Sequence, residues 1–307
     1  MVDLRLLQAL RVLHAQGTVT ATARALNLSP SAVSQQLRQL SQAVGATLLV
    51  RDGRRLRLTP AGRVLLRHAD GLFAQWERIR ADLADEEGNQ HTTLHIGGFA
   101  TAFGALLAPA ASALHRAAPP LHVRVTETDT GACYQQLLSG RIDIAVLTPL
   151  PDSPPVDDPR FDQQPLMDDQ QDLVVPLGHP LAGLDVVDLP QTAAETWIAP
   201  HHDQHRLIES LCGAAGFAPR TDHHAGDWSS VLALIAHGLG VCLVPRLVPL
   251  TAHPGVTRVP VRGDPPPCRR VLTCVRSGSR QQPVIARALT ALQEQAVIAR
   301  RLDRTRP

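Results

Sequence analysis

The 307 residues are 44% apolar with a mean hydropathy of −0.04, enough chain for two or three domains with separate cores. No run of about 18 apolar residues occurs, which argues against a membrane-spanning helix. Met1-Val2-Asp3-Leu4-Arg5 lacks the basic-then-apolar order of a secretory signal, so a cytoplasmic protein is expected. All 30 positive side chains are arginine. Ten of them lie in residues 1–70 against three Asp, giving +7, so the net +2 leaves −5 for the remainder. A basic first quarter on a mildly acidic body suggests a nucleic-acid module joined to a partner domain.

In chain order, Leu4, Leu6, Leu7, Leu10, Val12 and Leu13 predict an amphipathic helix over 3–16, stopped by Gly17. Thr18 or Thr20 caps a second helix containing Ala21, Ala23, Ala25 and Leu26. Asn27-Leu28 turns the chain, and Ser29-Pro30 opens a third helix with Ser at N-cap and Pro at N1. Val33, Leu37 and Leu40 face inward there, while Ser31, Ser34, Gln35 and Arg38 point away. Two short helices joined by a tight turn, the second outwardly small and polar, describe a helix-turn-helix. A three-helix bundle with a polar outer face is the plainer alternative.

The next segment favours the first reading. Leu48-Leu49-Val50-Arg51, the turn Asp52-Gly53, and the alternating Arg54-Arg55-Leu56-Arg57-Leu58 describe a two-stranded wing with arginines for DNA phosphates. Thr59-Pro60 starts a long helix to about residue 85, closed by Glu86-Glu87-Gly88-Asn89. Its stripe of Val64, Leu65, His68, Leu72, Trp76, Ile79 and Leu83 needs a partner, either the same helix of a second subunit or the protein's own body.

From residue 92 strands alternate with helices: strands at 93–99, 121–127 and 142–147, and helices at 101–117 and 131–139. A second set follows the Pro- and Asp-rich segment 148–162: strands at 163–167, 171–176, 196–199, 220–224 and 241–244, with helices at 203–216 and 228–237. Residues 256–261 and 269–276 read as strands returning to the first lobe, and 283–300 as a closing helix. The alternation indicates a parallel α/β sheet.

The stretch Thr20-Ala21-Thr22-Ala23-Arg24-Ala25-Leu26-Asn27-Leu28-Ser29-Pro30-Ser31-Ala32-Val33-Ser34-Gln35-Gln36-Leu37, and the wing through Thr59-Pro60-Ala61-Gly62, resemble the signature of LysR-type transcriptional regulators. Length and domain order agree over essentially the whole chain. Ser41, where the family usually has Glu, and Leu49, in place of its usual Phe, depart from the pattern.

The fold class that follows is an all-α winged helix-turn-helix at 1–59 and a linker helix at 60–87. A two-lobed α/β, periplasmic-binding-protein-like effector domain occupies 92–307, with lobe one at 92–161 and 268–300 and lobe two at 162–267. The resemblance implies a regulator bound to double-stranded DNA as a homodimer or homotetramer. It also implies a small-molecule effector, contact with RNA polymerase, no cofactor and no membrane association. Candidate DNA contacts are Thr20, Ser29, Ser31, Ala32, Ser34, Gln35, Arg38, Arg51, Arg54, Arg55 and Arg57.

Effector contacts are expected at strand ends, where helix N–H groups can hold a carboxylate. Phe99, Ala100, Thr101, Thr128 and Thr148 are the candidates from lobe one, and His201 and His202 from lobe two. A Thr at a strand end can equally be a simple helix cap. The alternative of a hydrolase or metal enzyme built on His201, His202 and His205 lacks a nucleophile elbow, P-loop or GxGxxG motif. It would also leave the basic head unexplained. Five cysteines without CxxC spacing read as buried or free thiols rather than a metal site or disulfide framework.

Overall fold

The computed structural model describes residues 3–52, 55–86 and 93–304, and the side chains of Asp52, Arg55, Asp85, Glu86 and His202, with those beyond Arg301, lie outside that description. Two compact units form. One holds the chain to Leu166 together with Leu272–Ala299, and the other holds Met167–Val271 and the turn from Arg300.

The first unit opens with α1 (Leu4–Gln16), α2 (Val19–Leu26) and α3 (Pro30–Val44). Each start is capped as a short polar side chain should cap it. The Asp3 carboxylate accepts from the Arg5 N–H, Thr18 Oγ1 from Ala21 at 3.2 Å, and Ser29 Oγ from Ala32 at 3.1 Å. Gly17, Asn27 and Gly45 end the helices in the left-handed region. Leu7, Leu10, Leu13, Val33, Leu37 and Leu40 close the head's core, with Leu49 packed at its edge. The wing pairs β1 (Leu49–Asp52) with β2 (Arg55–Leu58) antiparallel.

Linker helix α4 (Pro60–Glu86) starts at Thr59, whose hydroxyl accepts from the Gly62 N–H and donates to the Thr47 carbonyl. A Cβ on Gly62 would lie 2.2 Å from the Leu48 carbonyl oxygen, so only glycine lets α4 meet the wing this closely.

β3 (Thr93–Gly98) runs parallel to β4 (His122–Glu127) and β5 (Ile144–Leu147). β11 (Cys268–Arg276) adds antiparallel to β5 through Leu272–Val275. The sheet is therefore mixed rather than parallel. Its helices are α5 (Ala100–Ala102) continuing into α6 (Ala108–Ala117), α7 (Thr130–Ser139) and α10 (Pro283–Arg304). A π turn, Phe103–Leu107, joins α5 to α6 just before Pro109, a residue with no N–H to give.

In the second unit, β6 (Phe161–Pro176) pairs antiparallel with β9 (Cys242–Pro245) and β10 (Val256–Pro260). β7 (Thr196–Ala199) runs parallel to β8 (Arg220–His224), and α8 (His202–Ala214) and α9 (Trp228–Ala236) complete the layers.

Two further sequence expectations change here. The strands expected at 163–167 and 171–176 are one, β6 (Phe161–Pro176). The polar break between them stays in the strand because the Asp169 carboxylate is fully buried, accepting from Arg269 and the Leu247 N–H. Residues 256–261 do not return to the first lobe: β10 pairs with β6 inside the second unit. Hydrophobic alternation marks a strand but not its partner.

Candidate DNA-binding face, linker and effector edge

Helix α3 turns Val33, Leu37 and Leu40 into the head and leaves Ser31, Gln35 and Arg38 exposed, with Ala32 and Ser34 half-buried beside them. Ser29 spends its hydroxyl on the α3 cap and sits 2.9 Å from Ser31 Oγ. Thr20 is exposed on α2, and Arg51 and Arg57 are exposed on the wing strands. Arg54 falls outside the described residues, and of Arg55 only the backbone is described. The surface is thus a row of small polar groups on a helix that a groove can admit, flanked by cations. It can read base edges and hold phosphate.

The linker helix presents two different faces. Val64, Leu72, Trp76, Ile79 and Leu83 form an outer stripe, each 38–53% exposed. On the opposite face Leu66, Ala69, Asp70, Glu77 and Ala81 are buried. Asp70 accepts from the Arg11 guanidinium of α1, which also lies over Phe73. Burial pulls the Arg11 pKa down against the opposing pull of Asp70. Glu77 accepts from Arg276 Nε at 2.7 Å and from Gln282 Nε2 at 2.7 Å. Arg276 also donates to Asp143 at 3.0 Å and to the Ile142 carbonyl at 2.8 Å. It keeps its charge despite burial because two carboxylates face it.

Sequence reasoning missed this network. Its only trace was a charge at a buried helical position, Arg11 between Leu10 and Val12, and Glu77 beside Trp76.

Because β5, β3 and β4 are parallel, their C-terminal ends share one edge of the first unit. Phe99 and Thr101 are half-buried there and Ala100 is exposed. The Thr128 N–H donates to the Gly98 carbonyl, and its hydroxyl accepts from Gln136 at 3.1 Å. The Thr148 carbonyl accepts from the Thr130 hydroxyl at 3.0 Å. A Cβ on Gly98 would meet Leu107 at 2.9 Å and the Val146 carbonyl at 3.0 Å, so the edge is drawn tight at β3.

In the second unit His201 is the N-cap residue of α8 and makes no side-chain cap bond. Although the residue is exposed, its ring stands edge-on to Trp228, with centroids 5.9 Å apart. Partial desolvation lowers its pKa against the pull of Asp203. His205 contacts Glu209 at 3.4 Å and lies beside His224. Among the described residues no three His, Cys, Asp or Glu converge as a metal site.

Four cysteines are buried and Cys268 is partly so. Burial raises Cys133 to about 12 and Cys212 to about 11 and lifts Cys242, Cys268 and Cys274 as well.

Residues 4–63 match the family described as bacterial regulatory helix-turn-helix protein, lysR family, and residues 87–297 match the LysR substrate binding domain. A transcriptional regulator of Corynebacterium glutamicum, ShiR, is 28% identical over 242 residues, which cover 77% of this chain and 80% of that protein. A hydrogen peroxide-inducible genes activator of Dickeya chrysanthemi is 29% identical over 259 residues, 82% of each.

Among solved structures, full-length OxyR of Pseudomonas aeruginosa, a cysteine variant, aligns at a TM-score of 0.66 and 22% identity, covering 96% of this chain and 95% of that one. CbnR in complex with its target DNA aligns at a TM-score of 0.56 and 20% identity, covering 96% and 99%. At these identities the structural likeness speaks for the fold.

Proposed function

The chain belongs to the LysR family of bacterial transcriptional regulators, and on that premise we propose how its parts share the work. The relatives are regulators, not enzymes, and the His201–His202–His205 alternative finds no support among them. Helix α3 enters the major groove with Ser31, Ser34, Gln35 and Arg38 at base edges. Ser29 and Ala32 hold the helix start against the backbone, with Thr20 beside it. Arg51 and Arg57, with Arg54 and Arg55 of the same wing, neutralise phosphate. The observation that carries this reading is the exposed polar row of α3 flanked by exposed wing arginines. The exposed stripe of α4 pairs with its own copy in a second subunit. One helix stripe repeated about a two-fold axis is self-complementary, and that pairing sets two heads for two half-sites.

The effector is a small molecule with hydrogen-bonding groups, held at the strand-end edge of lobe one by Thr101, Thr128 and Thr148 beside Phe99 and Ala100. On lobe two, His201 and His202 are the candidate contacts. No helix among the described residues is long and apolar enough to cross a membrane, and a promoter-binding protein works in the cytoplasm.

Peroxide attacks thiolates, and a raised pKa removes the thiolate. Burial of four of the five thiols argues against a thiol-based peroxide response, although hydrogen peroxide-inducible activators are among its relatives.

Selection of bound sequences from random duplex DNA, at two salt concentrations, tests the assignment. A roughly palindromic site should emerge. Arg57→Ala should weaken binding across sequences and lower the salt slope by about one, while Gln35→Ala should relax preference at one base position. Unchanged slope and preference would refute the assigned faces.

A further inference from the structure

The head is attached to the rest of the first unit in two unlike ways. Through α4 the attachment is ionic and buried, at Glu77, Arg276 and Gln282. Gly278 packs so closely on α4 that a Cβ there would lie 2.2 Å from the Ala74 carbonyl oxygen. Through α1 and α2 the attachment is different. These helices rest on α7 by a few polar bonds between residues more than a hundred positions apart. Gln8 Nε2 donates to the Leu138 carbonyl, and Gln16 Nε2 to Gln135 Oε1 at 2.9 Å. Arg141 donates to Asn27 Oδ1 at 2.9 Å and to the Arg24 carbonyl.

Little apolar surface joins the two sides. The head's core and the core beneath α7 are separate, and Ala15 is the head residue packed against the latter. Two cavities, of about 250 and 240 Å³, open along this seam, and a third, of about 310 Å³, reaches from Gln8 and Leu138 to the α4 attachment, where Glu77 and Arg276 line it. At it, Gln8 Oε1 is buried without a hydrogen-bond partner. A contact with few polar bonds, an unsatisfied buried acceptor and unfilled space has little to hold it against a competitor.

The competitor is set by which face of the head is covered. In a helix-turn-helix the first of the two helices crosses the DNA backbone. Here that helix is α2, and its Ala21, Arg24 and Ala25 line the seam opposite Gln135, Ser139 and Arg141 of lobe one. Arg141 grips the turn at Asn27 that leads into α3. A phosphate strand running along this face of α2 would meet lobe one, although the polar row of α3 and the wing arginines are exposed.

At its other side α7 is tied to the effector edge, through Gln136 to Thr128 and Thr130 to Thr148. We infer that the α1/α2–α7 seam is an autoinhibitory latch. Lobe one holds the head of its own chain in a state that excludes DNA, and α7 carries movement of the strand-end edge to the head. The inference rests on the DNA-binding reading of the head.

The test uses the full chain carrying Gln16→Cys and Gln135→Cys, joined by a short bis-methanethiosulfonate linker that dithiothreitol removes, with equally treated wild type as control. The cross-linked product should run at monomer mass. It should bind a selected operator duplex at least about tenfold more weakly, with affinity restored on reduction. Arg141→Ala, which only loosens the seam, should bind several-fold more tightly than wild type.

A linked protein that binds as well as the reduced one would overturn the latch. So would linkage found only between copies, or Arg141→Ala binding no tighter than wild type. Wild type that binds no duplex would refute the regulator reading itself and the latch with it.

Discussion

Replacing Arg276 by methionine keeps an unbranched side chain of similar reach and removes every bond the guanidinium makes. Arg276 is 8% exposed and Glu77 7%. The substitution leaves Glu77 buried with Gln282 at 2.7 Å and Arg80 at 3.6 Å, removes the guanidinium bond to the Ile142 carbonyl, and leaves Asp143 with the His95 N–H at 3.1 Å. Removing one member of a buried pair costs roughly 3–5 kcal/mol, because the partner keeps its desolvation penalty.

Gln282 and Arg80 still serve Glu77, so the lower end, about 3 kcal/mol, is expected. In a unit of about 190 residues that corresponds to a fall in Tm of roughly 6–12 °C. Thermal melting followed by circular dichroism reads it directly. Removing both charges in Arg276→Met/Glu77→Leu should recover much of the loss, giving a coupling energy of about 1.5–3 kcal/mol in a double-mutant cycle. A single-variant cost below about 1 kcal/mol, or additivity of the two changes, would refute the claim that this network joins α4 to lobe one.

Gly62→Ala should destabilise the head by about 3 kcal/mol, since the backbone carbonyl of Leu48 cannot move away from a Cβ at 2.2 Å; an unchanged melting curve would show that α4 and the wing are not so closely joined. Native protein treated with iodoacetamide near neutral pH should label slowly, Cys268 first, and peroxide should leave DNA affinity unchanged. A peroxide effect abolished by Cys133→Ser or Cys212→Ser would reverse that conclusion. His201 has its pKa below the ordinary 6.5 in the folded protein, so the unfolded chain takes up the proton first as pH falls. Stability should therefore decline with acid from about pH 6.5 downward. His201→Gln should flatten that decline, and identical pH profiles for the two proteins would contradict the assigned desolvation.

Local chemistry made most of the elements legible. Caps such as Thr18, Ser29 and Thr59, the stops at Gly17 and Gly45, and the three-and-four spacing on α3 and α4 act within one or two turns. They define the head, its polar outer face and the exposed apolar stripe without reference to the rest of the chain. Phe99, Thr128 and Thr148 were recognisable for the same reason, as ends of apolar strands.

The tertiary structure decided what depends on partners distant in sequence. Strand β6 crosses Asp168-Asp169-Gln170 unbroken because Arg269, a hundred residues on, pairs with Asp169. β10 stays with β6 because pairing is a property of two strands, while alternation belongs to one. Glu77 and Arg276, 199 positions apart, and Asn27 and Arg141, 114 apart, look like ordinary surface charges and polar groups in one dimension. Only packing shows that the first pair is buried and holds firmly, while the second lies on a loosely filled seam, where few bonds resist release.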